Sequence, residues 1–273
     1  MKILITGATG FLGSHLTRHL AQMGHQVYAL VRNEEKFQKL NLPATPVIGE
    51  LRFDGPHHWI KKLPYDLDAV IHNAGITHSF DPKFFYDINS RATKQLIEDL
   101  AIMFPQQLRF TLISSLAASG ASSKGRPRTE EDEPKPISHY GHSKHLAEIY
   151  LNERAPLNWK KIIIRPPVII GPGDEAFVDV FTMVKKGFIV VPGLKGHEKE
   201  YSFVCIFDLV DAIAKTFKLN IKKTAPEILF ISHPKPFTYS ELLEKVTELV
   251  NPTKRFNLCV PFFLIFIASC LNS

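Results

Sequence analysis

Cysteine is scarce: Cys205, Cys259 and Cys270 are the only three in 273 residues, and no two stand in a C-x-x-C or other metal-ligand spacing. No metal centre is therefore expected, and a disulfide framework is not the organising principle. Long apolar runs are missing too. The most apolar stretch, residues 258–271 (LCVPFFLIFIASCL), has 14 residues, short of the roughly 20 that a membrane-spanning helix needs. A buried or dimer-facing helix opening at Pro261 is the first reading of it. A membrane-associating tail, or the start of a longer C-terminal region, is the second. Repeats, low-complexity linkers and blocks of like charge are also absent. Lys and Arg outnumber Asp and Glu by 33 to 27, but they are scattered, and the nearest cluster (Lys124, Arg126, Arg128) runs straight into Glu130, Glu131, Asp132 and Glu133. The net charge of +6 thus reads as a general attraction for anionic ligands such as a phosphorylated cofactor, and no nucleic acid is expected as a partner. No charged-then-apolar leader precedes the first strand-like residues, so a cytoplasmic location is expected.

What the chain does have begins at once. Residues 2–6 (KILIT) are apolar and β-branched, in the manner of a buried parallel strand, and they break into a loop with glycine at 7, 10 and 13. Everything after Gly13 is helix-like. Gly7 permits a tight turn, Gly10 lets the backbone approach a pyrophosphate, and Gly13 lets helix and strand pack closely. Thr9, Phe11 and Leu12 belong to the same cofactor-facing loop, where the free N–H groups of the helix start favour an anion.

Strand-like and helix-like segments alternate over the first two-thirds, which predicts an α/β fold with a doubly wound parallel sheet. The expected strands are residues 2–6, 26–31, 45–48, 69–73, 109–114 and 161–165; the expected helices are 11–23, 57–63, 84–103 and 140–153. From about Pro172 the pattern loosens around Pro192, Gly193 and Gly196, with helical stretches at 207–219 and 238–250. The expected division is a dinucleotide-binding domain over 1–171 and a smaller substrate-facing lobe over 172–273. The second strand closes on Val31 and Arg32. An acid there would accept the ribose 2′-hydroxyl of NAD; a cation in its place favours a 2′-phosphate, so NADP(H) is expected in preference to NAD(H).

The second strong signal is Tyr140-Gly-His-Ser-Lys144. Hydride transfer at an oxygen-bearing carbon needs a proton donor or acceptor on that oxygen, and tyrosine, with a pKa near 10, is a poor base at pH 7 unless a cation stabilises its phenolate. Residues four apart share a helix face, so Lys144 can serve Tyr140 and also reach ribose hydroxyls.

Together the G-x-x-G-x-x-G loop and this Y-x-x-x-K pair resemble the extended short-chain dehydrogenase/reductase family, over about residues 1–215. The resemblance implies a catalytic Ser, Tyr and Lys. Within Ile113-Ser-Ser-Leu-Ala-Ala-Ser-Gly120 the glycine five residues on picks Ser115 as catalytic, leaving Ser114 to face the cofactor or the core. It also implies that Glu50 and Leu51 flank the adenine, that Asn73, Ala74 and Gly75 run beneath the phosphate and ribose, and that Pro167 and Val168 reach the nicotinamide. Asn89 matches a structural asparagine, although the family's glycine near it is Ala92 here. Thr77, His78 and Tyr201 are the candidate substrate contacts beside Ser115.

Two branches of the family compete. Sugar-nucleotide epimerases carry an arginine that grips the diphosphate where Tyr201 stands, with only Lys195, Lys199 or Arg255 left to replace it. Its loss, together with the apolar Leu116 and Phe80, favours an NADP-dependent oxidoreductase acting on a small carbonyl or hydroxyl compound. A nucleotide-sugar epimerase or dehydratase is the alternative. A non-enzymatic redox-sensing or scaffold protein is a third, disfavoured because Ser115, Tyr140 and Lys144 are all kept.

Overall fold

A computed structural model describes residues 1–123, 125–192, 199–221, 224–251 and 256–260. In chain order the elements are β1 (Lys2–Thr6), α1 (Phe11–Gln22), β2 (Gln26–Val31), α2 (Glu34–Leu40), β3 (Thr45–Ile48), a 3₁₀ turn (His58–Lys62), β4 (Ala69–His72), α3 (Pro82–Phe84), a π-helical stretch (Phe85–Arg91), α4 (Ala92–Met103) and β5 (Arg109–Ile113). Then come α5 (His139–Arg154), β6 (Lys160–Arg165), β7 (Val168–Ile170), α6 (Glu175–Lys185), β8 (Phe188–Pro192), β9 (Glu200–Tyr201), β10 (Phe203–Cys205), α7 (Ile206–Lys215), β11 (Glu227–Phe230), β12 (Phe237–Thr238), α8 (Tyr239–Val250) and β13 (Phe256–Val260).

The chain divides into two compact units, one of Met1–Pro166 with Ile206–Ile231, the other of Pro167–Cys205 with the described residues after Ile231. The first is a seven-stranded sheet in the order β11-β6-β5-β4-β1-β2-β3, parallel throughout. The division is not a single cut at 171/172: β11 pairs with β6 along Ile228↔Ile163, which returns a late segment to the first unit.

The strands are continuous apolar runs because both faces of the sheet are covered; every residue of β4 and β5 is buried. On one face Leu4, Val70, Phe110, Leu112 and Ile163 pack with Leu96, Ile97 and Leu100 of α4, and with Ala147 and Leu151 of α5. The strand order reverses between β1 and β4. In open α/β sheets the crevice at the carboxyl ends of such strands is where ligands bind.

Differences from the expected elements have local causes. The segment around His58–Lys62 is 3₁₀ rather than α, since five residues are too few to repay α-helical nucleation. The long helix after β4 starts at Pro82 and widens into π geometry at Phe85–Arg91. In the second unit, α8 opens with a capping box between Thr238 and Glu241. Residues 258–260 lie in β13, beside β8; Pro261, Cys270 and the rest of the apolar segment lie outside the described residues, as do Gly193, Lys195, Gly196 and Arg255. Among the described residues no helix is long and apolar enough to cross a membrane.

Candidate active site

The glycine loop is built for close backbone approach. Gly7 has φ +68°, and a Cβ there would stand 2.9 Å from the backbone of Ala74; a Cβ at Gly13 would meet the Gly7 carbonyl oxygen at 2.0 Å. Any larger residue would push α1 off β1 or the loop off the end of β4. Gly10 is the N-cap of α1, and its carbonyl accepts the first helical bond, from Ser14 N at 2.9 Å. The N–H groups of Phe11, Leu12 and Gly13 precede that bond. No side chain caps this helix, whereas Asn33, Ser138 and Thr238 cap α2, α5 and α8. An uncapped helix start behind a glycine turn at the sheet's reversal point fits a pyrophosphate, which would take those donors. Thr9 is half-buried in the same loop.

Around the loop, Asn73 Nδ2 donates to the Gly7 carbonyl at 3.3 Å and Ala74 N to Thr6 Oγ1 at 3.1 Å. Arg32 is exposed just past β2, and among the described residues no hydrogen bond or ion pair engages it. The Glu50 carbonyl accepts the Trp59 indole N–H, and Leu51 packs half-buried against the core. Gly75 is exposed, 3.8 Å from Lys144 Nζ measured from where a Cβ would be.

Ser115, Tyr140 and Lys144 converge at the end of β5. Ser115 caps the short 3₁₀ turn Leu116–Ala118, its Oγ accepting from Ala117 N at 3.1 Å. Gly141, whose Cβ would lie 2.4 Å from the Ala117 carbonyl oxygen, lets the start of α5 press against that turn. Its neighbour Tyr140 is thereby brought toward Ser115. Burial pushes the Tyr140 phenol above its ordinary pKa, and the nearby Ser115 hydroxyl only partly offsets this. Lys144 is buried and donates to the Ile113 carbonyl at 2.6 Å. Desolvation lowers its pKa to about 8, with the Glu148 carboxylate pulling the other way. The expected lowering of Tyr140 by Lys144 is therefore not expressed in this arrangement: the ammonium is held on a backbone carbonyl, and burial dominates at the phenol.

Ser114 takes the core side of its two alternatives. The strand's pleat turns it opposite to Ser115, it is buried, and its hydroxyl donates to Glu148. Glu148 also receives a two-pronged bond from Arg165, at 2.9 and 2.6 Å. Burial pushes the Glu148 pKa up, but Arg165, His145 and Ser114 outweigh it and hold the carboxyl below its ordinary value. Neither Glu148 nor Arg165 was among the expected site residues. The i+4 step from Lys144 was the one available signal, since it puts Glu148 on the same helix face.

Thr77 and His78 are exposed on the loop after β4 and bond each other at 2.8 Å. Pro167, Val168 and Tyr201 belong to the second unit, where β7 pairs with β10 and Tyr201 of β9 stands edge-on to Tyr239.

A buried imidazole lies beneath the loop. His72, with both ring nitrogens bonded to threonine hydroxyls, has its pKa driven down to about 3 by desolvation, and Lys144 and His57 push the same way. The unfolded chain titrates it near 6.5, so between pH 3 and 6.5 the folded state binds fewer protons. Stability present above pH 6.5 is lost as the pH falls. This one group is expected to cost about 2 kcal/mol by pH 5. Urea denaturation at pH 7 and pH 5 checks it: the acid loss should be smaller by that amount in His72→Asn.

A model of the NAD-dependent epimerase/dehydratase family matches residues 3–231. The chain belongs to that family. It is thus of the extended short-chain dehydrogenase/reductase type. Ceramide reductase of Caulobacter vibrioides is 32% identical over 78% of this chain and 59% of its own length. UDP-glucose 4-epimerase of Vibrio cholerae is 28% identical over 92% of this chain and 77% of its own. In fold the chain resembles UDP-glucuronic acid 4-epimerase of Bacillus cereus, with a TM-score of 0.79 and 21% identity over 96% of this chain and 86% of that one. It spans only 51% to 60% of the length of several curated relatives.

Proposed function

We propose that this protein is an NADP(H)-dependent oxidoreductase that reduces, or forms by oxidation, a carbonyl group on a small and largely apolar substrate. The observation that carries the reading is Tyr140, its phenol raised by burial and eased by the Ser115 hydroxyl, beside buried Lys144 and an uncapped helix start. A nicotinamide cofactor, when bound, exchanges a hydride with the substrate carbon. Ser115 polarises the substrate oxygen, Tyr140 gives it a proton, and Lys144 holds ribose hydroxyls and supports the phenolate once it forms. A phenol whose pKa lies above its ordinary value is suited to donating in the reductive direction. Gly7, Gly10, Gly13, Phe11 and Leu12 would hold the pyrophosphate, Leu51 the adenine and Arg32 a 2′-phosphate. Pro167, Val168, Thr77, His78 and Tyr201 are proposed to contact nicotinamide or substrate.

The cofactor preference has its own test. Arg32→Ala is expected to weaken NADPH binding about ten- to hundredfold, the size of a charge-assisted contact, with little change for NADH. Fluorescence titration with both cofactors measures this, and an equal loss for the two would remove Arg32 from the role.

Nucleotide-sugar epimerisation is the second reading, favoured by the similarity to the Vibrio cholerae enzyme over 92% of the chain. Against it, Tyr201 occupies the diphosphate-gripping position. The purified protein should oxidise NADPH stoichiometrically with apolar ketones or aldehydes. Sugar-nucleotide conversion without net NADPH loss would replace the first reading with the second.

A further inference from the structure

Thr6, His72, Thr93 and Asn89 form an unbroken hydrogen-bonded line beneath the site, all four of them buried. Counting protons along it leaves one arrangement. The Thr93 hydroxyl donates to the Asn89 carbonyl one turn earlier, at 2.8 Å. Its single proton is then used, so at 2.7 Å it must accept from His72 Nε2. The ring proton therefore sits on Nε2, and Nδ1 is an acceptor. Thr6 faces Nδ1 at 2.7 Å and donates to it, while Thr6 Oγ1 takes the Ala74 N–H at 3.1 Å.

The line continues past Asn89. Its side-chain amide binds both backbone groups of Ile76, at 2.8 and 3.0 Å, and donates to Ser143 Oγ at 3.1 Å. The Ser143 hydroxyl donates to the Tyr140 carbonyl at 2.7 Å. One end is thus the residue before the Gly7 turn, and the other is the backbone of the proton donor.

We propose that His72 is a positioning residue whose single tautomer sets the phosphate-binding loop in register with the helix that carries Tyr140. The kinetic consequence rests on the proposed reductase reading; the tautomer and its effect on cofactor binding do not. The two ring nitrogens have separate duties. Nδ1 orients Thr6, and through it the Ala74 N–H packed against Gly7. Nε2 anchors Thr93, the Asn89 turn and, by way of Ser143, Tyr140. Substitution separates them: asparagine offers an acceptor where Nδ1 stood, and glutamine offers an N–H donor where Nε2 stood.

The test combines nitrogen NMR of the wild-type ring, NADPH titration without substrate, and steady-state kinetics of His72→Asn and His72→Gln. The expected spectrum shows protonated Nε2, bare Nδ1 and no titration from pH 8 to pH 5. His72→Asn should keep the NADPH Kd within about twofold and lower kcat about tenfold. His72→Gln should raise the NADPH Kd about tenfold and change kcat at saturating cofactor much less. A proton on Nδ1, titration near pH 6.5, or Kd and kcat moving together in both variants would overturn the proposal, because a purely structural residue gives no such split. Should one variant fail to fold, the spectrum and the Kd of the other decide. If the wild type reduces no carbonyl compound, the reductase reading fails while the tautomer and the two Kd values still judge His72.

Discussion

Tyr140→Phe is expected to lower turnover by roughly 10²- to 10⁴-fold on any substrate the wild type accepts, with NADPH affinity near wild type. The substitution removes one oxygen and keeps the ring, so the edge-on contact between ring 140 and Phe85 is retained. The lost hydroxyl is the one that the Ser115 hydroxyl acts on, while the Lys144 bond to the Ile113 carbonyl is untouched. Stopped-flow measurement of NADPH consumption, with the cofactor Kd from titration, separates the two quantities. Full turnover in Tyr140→Phe would show that the proton comes from elsewhere.

The second large effect is on stability. Glu148→Gln is expected to cost about 3–5 kcal/mol, because it leaves the Arg165 guanidinium buried without its counter-charge. Arg165 is about 1% exposed, and its Nη1 has no hydrogen-bond partner among the described residues. The pair ties together the end of β5, the middle of α5 and the end of β6, so its loss loosens all three segments around Ser115 and Lys144. Urea denaturation measures the cost. The double variant Glu148→Leu with Arg165→Met should recover much of it, since removing both charges relieves the desolvation penalty that removing one exposes. No recovery would mean that packing, rather than an unpaired charge, accounts for the loss.

The glycine loop, the parallel sheet and the Tyr140–Lys144 pair were legible in the sequence because each rests on a local rule. A tight turn needs glycine at fixed offsets, strands buried on both faces read as continuous apolar runs, and residues four apart share a helix face. Those rules place the glycine loop and Tyr140 without knowledge of any distant neighbour. What they leave open depends on residues far apart in the chain. The Ser114 hydroxyl is buried against Glu148, thirty-four positions away. Lys144 turned to the Ile113 carbonyl, and burial raised the phenol it was expected to lower. The imidazole of His72 became neutral because burial disfavours its charge where Thr6 of β1 and Thr93 of α4, far apart in the chain, meet across it. Desolvation and hydrogen-bond partnership are properties of the folded surroundings. Sequence therefore determined which chemical groups are present, and tertiary structure decided their charge, their proton and the direction they face.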